Sequence, residues 1–197
     1  AIGYRSQTNS TTGYENHSIG TQSLHENTTG YKNQVIGFQA MYNNTTGNCN
    51  IAIGHVAMGS NTTGHWNMAI GFGANQRNTT GTCNIGLGIC ANRCVTTGAR
   101  NVSIGNTAGN ALVTGCDNTI IGHGTTGTCS SFNNQILIGY GVTGAGSNQT
   151  VIGNGSTTNT RLCGALSKAS GTFLIPHPDP AKTETKDLQH SFVESPN

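Results

Sequence analysis

One spacing governs this chain. Thr-Thr-Gly ends at Gly13, Gly30, Gly47, Gly64, Gly81 and Gly98, each 17 residues after the last, and Val113-Thr114-Gly115 keeps the register. A second marker, an apolar residue followed by glycine, recurs at Gly3, Gly20, Gly37, Gly54, Gly71, Gly88, Gly105, Gly122 and Gly139, also in steps of 17. A shorter step of 14 leads to Ile152-Gly153. Two markers in one register define a structural repeat, and a repeat of this kind means stacked units rather than a conventional globule. Seventeen residues with two glycine punctuations accommodate short strands and turns. Apolar positions at helical spacing are lacking. The sequence therefore predicts an all-β solenoid in which each unit is one coil, and a coil spacing of roughly 4.8 Å makes nine or ten coils a rod of about 45 Å.

Counting each unit from the residue after Thr-Thr-Gly, position three is Asn16, Asn33, Asn50, Asn67, Asn84, Asn101 and Asn118. These form a predicted ladder whose amides bond to turn backbone and to neighbouring coils. Position six is Ile19, Ile36, Ile53, Ile70, Leu87, Ile104 and Ile121, the predicted core ladder. On that reading Ile70→Ala costs about 2–5 kcal/mol. Position ten stays small, from Ser23 through Ala40, Ala57, Ala74, Ala91 and Ala108 to Thr125. Charges between Tyr14 and Phe132 fall only at positions two, twelve and thirteen, which marks those as outward. Positions four and five carry no charge, and such a neutral row is what a subunit interface presents. So thin a core favours oligomerisation.

Composition narrows the function classes. Of 197 residues, 34% are hydrophobic and 8% charged, and the net charge is +2. No basic stripe marks a nucleic-acid surface, and no apolar run reaches the length of a membrane span. The chain opens on Ala1-Ile2-Gly3 without an initiator methionine, as a piece of a longer protein would. All four prolines lie between Pro176 and Pro196, and seven of the sixteen charges follow Gly164. The sequence thus divides into a repeat domain, 1–160, and a proline-rich β junction or cap, 161–197, with strands predicted at Thr172–Ile175 and His190–Val193.

Units such as Asn33-Gln-Val-Ile-Gly-Phe-Gln-Ala-Met-Tyr-Asn-Asn-Thr-Thr-Gly47 resemble the head repeats of trimeric autotransporter adhesins of the YadA type. They also resemble the repeats of tail fibres and other viral or bacterial surface fibres. The resemblance covers residues 1 to about 160, and the final step of 14 matches the shorter adhesin repeat. It implies a homotrimeric, left-handed parallel β-roll, placed outside the cell on a virion or cell surface and continued by further fibre segments at both ends. The function it implies is structural: a rod that projects, or contributes to, host attachment.

Candidate sites stand beside plainer readings. Asn27, Asn44, Asn61 and Asn78 head Asn-x-Thr sequons next to charged positions, and read either as glycosylation acceptors or as turn chemistry. Asn16 and Asn101, also in sequons, belong to the asparagine ladder and are expected to be bare. Tyr14, Tyr31, Tyr42 and Trp66 are candidate contact aromatics for a receptor or glycan. The seven cysteines, Cys49, Cys83, Cys90, Cys94, Cys116, Cys129 and Cys163, are odd in number and lack Cys-x-x-Cys, which argues for free thiols. Cys90 and Cys94 are close enough in sequence to meet across a turn. Histidines occupy mixed positions, so no metal site is expected. His190, Ser191 and Glu194 are too close along one strand for a triad. The chain therefore reads as non-enzymatic and without cofactor. Two alternatives remain: an adhesin head that binds receptor or glycan directly, and an ice-binding or self-assembling solenoid carrying threonine ladders, one of which faces outward.

Overall fold

The computed structural model describes residues 1–127 and 130–159, and two later strands. It divides into two units, Ala1–Thr160 and Arg161–Asn197. In the first, each coil places one short strand at positions four to six: β1 (His17–Ile19), β2 (Gln34–Ile36), β3 (Ile51–Ile53), β4 (Met68–Ile70), β5 (Ile85–Leu87), β6 (Val102–Ile104) and β7 (Thr119–Ile121). The last coils add β8 (Thr126–Gly127), β9 (Gln135–Ile138), β10 (Thr143–Gly144) and β11 (Gln149–Ile152). Strands β1 to β7, β9 and β11 stack in chain order as one nine-stranded parallel sheet, while β8 pairs with β10. Register is that of the repeat, so Ile53 faces Ile70 and Ile70 faces Leu87. Among the described residues the chain is all-β, a solenoid of stacked coils.

The strands are short because the backbone turns left-handed at fixed places. In the coil of residues 31–47, Lys32, Gln39 and Met41 have φ of 56°, 50° and 47°. These are positions two, nine and eleven, and the same columns repeat along the stack, as in Cys49, Val56 and Met58. Left-handed backbone costs a non-glycine residue about 1–2 kcal/mol, and the ladder of coil-to-coil bonds offsets it. Outside the strands the amide of Leu24 donates to the carbonyl of Ala40, and that of Met41 to Ala57, both at 2.9 Å.

The core differs from the predicted one. Position five points inward, with Val35, Ala52, Ala69, Ile120 and Leu137 fully buried, packed with position ten and with Leu24, Met41 and Met58 of position eleven. The isoleucine ladder of position six points outward: Ile19 and Ile36 are each 45% exposed, Ile53 36% and Ile104 37%. Ile70, Leu87 and Ile121 are half-buried. The cause is pleat. Residues four, five and six of one strand alternate faces, and the narrow lumen admits the small side chains of position five. From that position a larger side chain enters the lumen only in the last coils, as Ile120 and Leu137.

In the second unit β12 (Leu174–Pro176) pairs antiparallel with β13 (Asp187–Gln189), Ile175 facing Leu188. β12 overlaps the first predicted strand. The second, His190–Val193, lies outside the described residues, and the observed partner precedes it.

Candidate functional site

The asparagines of position three run as a buried ladder. Asn50 Nδ2 donates to Asn33 Oδ1 at 3.1 Å and to the Gly64 carbonyl at 2.9 Å, and its backbone amide donates to the same Asn33 Oδ1. A second asparagine ladder occupies position fourteen. Asn61 Nδ2 donates to Asn44 Oδ1 at 2.7 Å and again to the Gly64 carbonyl, at 3.0 Å. Both columns thus converge on the glycine that ends Thr-Thr-Gly. That glycine is required for space: a Cβ on Gly64 would sit 2.5 Å from the Gly81 carbonyl oxygen of the next coil.

The second ladder overturns the glycosylation reading. Asn27, Asn44, Asn61 and Asn78 are completely buried, and the Nδ2 that a glycan would need is already donating to protein oxygens. Their proximity to charged neighbours is a poor guide, because adjacent residues of a tight turn point opposite ways. The ladder stops at Asn78, whose Oδ1 is buried without a hydrogen-bond partner; the next coil offers Val95 in place of an asparagine.

The threonine columns differ from each other. At position fifteen the hydroxyl of Thr45 donates to the carbonyl of Thr62, and that of Thr62 to Thr79, both at 3.1 Å. Position sixteen, Thr29, Thr46, Thr63, Thr80 and Thr97, is exposed. Cys49, Cys83, Cys90, Cys94 and Cys116 are free thiols, so Cys90 and Cys94 do not bridge; Cys94 Sγ lies 3.5 Å from Asn110 Oδ1. Cys129 and Cys163 lie outside the described residues, as do His190, Ser191 and Glu194. Among the described residues, no three His, Cys, Asp or Glu side chains gather as metal ligands.

Charges form short exposed pairs between coils. Arg100 donates twice to Asp117, at 2.6 and 2.9 Å, which holds the Asp117 carboxyl below its ordinary value. Glu26 is lowered likewise, first by the hydrogen bond from Asn9, then by His25. Both lowered carboxylates favour the folded state above the ordinary carboxylate range and lose that contribution as pH falls through their lowered values. Being exposed, they contribute little.

The candidate aromatics divide by column. Tyr14 stacks on Tyr31 with centroids 4.9 Å apart, Tyr42 on His25 at 5.0 Å, and Trp66 meets His65 edge-on at 4.5 Å. Trp66 is 60% exposed. A further ladder, at position eight, escapes the sequence reading: Phe38, His55 and Phe72 stack at 5.1 and 5.0 Å. It flanks the isoleucine column, so positions four, six and eight make one outward apolar stripe. Within it Ile19, Ile36, Phe38, Phe72, Ile89 and Ile136 are all exposed. The irregular identity of position eight is what hides it, since threonine, phenylalanine, histidine, isoleucine and asparagine all occur there.

No family model, protein of described function or solved structure matches this chain.

Proposed function

We propose that residues 1–160 are a structural segment of a homotrimeric surface fibre, a left-handed β-roll that projects or contributes to host attachment. The single observation behind the reading is the outward isoleucine column. It runs through every coil on the outer face of the parallel sheet, with Leu87 in place of isoleucine once, for about 45 Å at a coil spacing of roughly 4.8 Å. An isolated soluble chain rarely leaves so long an apolar stripe uncovered. No charged residue occupies positions four, six or eight from Glu15 to Tyr140, so copies of the chain can lie face to face without stranding a charge. Closed symmetry about one axis buries three such stripes at once. In that role the chain carries load along stacked coils rather than performing chemistry, outside the cell on a virion or cell surface.

Light scattering on the purified chain tests this. The expected mass is three chains, and Ile53→Lys combined with Ile104→Lys should reduce it to one while the β-sheet circular dichroism persists, since both side chains leave the coil outward. A single-chain mass for the unaltered protein overturns the trimer. A three-chain mass that survives both lysines overturns this face as its interface.

A further inference from the structure

A cleft of about 180 Å³ opens on a different side of the coil, lined by Gln39, Tyr42, Asn43, Val56, Ser60 and Gln76 around Gly59. Its origin is a missing side chain. Position twelve runs His25, Tyr42, Gly59, Gln76, Arg93, so glycine removes one step from a column whose first two rings stack 5.0 Å apart and nearly parallel. One face of Tyr42 is covered by His25. The other looks across the vacated level toward Gln76, two coils on, roughly 10 Å away at the spacing of parallel strands.

The same level interrupts a second column. At position nine Gln39 Nε2 donates to Gln22 Oε1 at 3.0 Å, but the following residue is Val56, so Gln39 Oε1 ends the chain of bonds at the cleft. On the far side Arg93 Nε donates to Gln76 Oε1 at 3.0 Å, which fixes that amide and leaves Nε2 to donate elsewhere. The Asn43 amide and the Ser60 hydroxyl stand between them. The lining is therefore one flat aromatic face, one small apolar side chain, and neutral donors and acceptors around the rim.

We infer that this cleft is a binding subsite for a single neutral pyranose ring. A pyranose has a face of C–H groups that lies against the negative face of an aromatic ring, and an equatorial rim of hydroxyls that both donate and accept. The gap is one ring deep, and its volume is below the about 300–1,000 Å³ of sites for larger ligands. No lining side chain is charged, which suits a neutral sugar rather than a sialic or uronic acid. A nucleobase would be expected to find aromatic faces on both sides, and here the second side is an amide. None of the lining residues belongs to positions four, six or eight, so the subsite stands or falls apart from the trimer.

The experiment is saturation-transfer NMR and titration calorimetry on the full chain with the methyl glycosides of galactose, glucose, mannose and N-acetylglucosamine, and with adenosine as the planar comparison. Two variants accompany it. Gly59→Tyr continues the column and fills the gap; its φ is not left-handed, and other coils carry side chains at this position, so the coil should persist. Tyr42→Ala removes the platform. The expected result is transfer to at least one glycoside, weakened tenfold or more in both variants while the melting temperature of Gly59→Tyr stays within a few degrees. Failure of every glycoside, binding untouched by Gly59→Tyr, or adenosine binding more tightly than the sugars would each overturn the assignment.

Discussion

At the residue scale the asparagines do what the lumen of a thin coil most needs. They satisfy buried polar groups without a thick core, because each side chain donates to one level and accepts from the next. Interruption of a ladder should therefore be graded by what is left unpaired. Asn61 makes three such bonds, accepting from Asn78 and donating to Asn44 and Gly64. Asn78 makes two, and its Oδ1 already lacks a donor. Asn61→Ala should thus destabilise the protein more than Asn78→Ala, by about 1 kcal/mol, the net value of one hydrogen bond. Urea titration of both variants checks this, and an equal or reversed order would show that the ladder is not read bond by bond. The asparagines of position three were legible because they do not vary from Asn16 to Asn118. Those of position fourteen were visible as sequons, but their direction was hidden: a sequence gives the turn, while only the path of the backbone says which side of it faces in.

At the element scale the strands account for the main difference between the sequence reading and the fold. The most regular apolar column, position six, looked like the core, yet it is position five, with serine, valine, alanine, glycine and isoleucine, that lines the lumen. Its variety follows from its partners. Gly86 is small because a Cβ there would come within 2.6 Å of Asn75 Oδ1, and Ala52 and Ala69 share the lumen with large Met41 and Met58. Among the strand positions, the regular column is the outward one and the varied column is the lumen, filled piece by piece. The consequence is a reversal of the mutational order expected from hydrophobicity. Ala69→Leu overfills a closed space and should cost about 1–3 kcal/mol. Ile70→Ala, one residue along, should cost a dispersed monomer about 1 kcal/mol or less, since part of the side chain stays in water. Melting the two variants at low protein concentration decides between them, and a larger loss in Ile70→Ala would return position six to the core.

At the scale of the whole solenoid, stability need not be uniform, because each coil touches only its neighbours. The apolar core is split. One cluster runs from Leu24 to Ala74, another from Val95 to Val142. Between them the lumen is polar: Asn75 Nδ2 reaches the Met68 carbonyl, Asn92 Nδ2 the Ile85 carbonyl, and Ser103 donates to Asn92. Asn75 Oδ1 is left buried without a partner. The same exchange explains both ends of the break, since asparagine replaces leucine and methionine at position eleven from Asn75, while Val95 and Leu112 replace asparagine at position fourteen. Few apolar contacts within the lumen then bind the two halves, so each should open as its own unit. Hydrogen exchange followed by mass spectrometry at rising urea should give one opening free energy for peptides in residues 24–74 and another for 95–142, with the change falling between Asn75 and Asn92. Asn75→Met continues the column of Leu24, Met41 and Met58 and removes the unpaired oxygen. That substitution should raise the stability of the first unit by about 1 kcal/mol and bring the two opening energies closer together. A single opening energy across both segments of the unaltered chain would mean that the backbone ladder alone couples the coils, and that the polar level is no boundary.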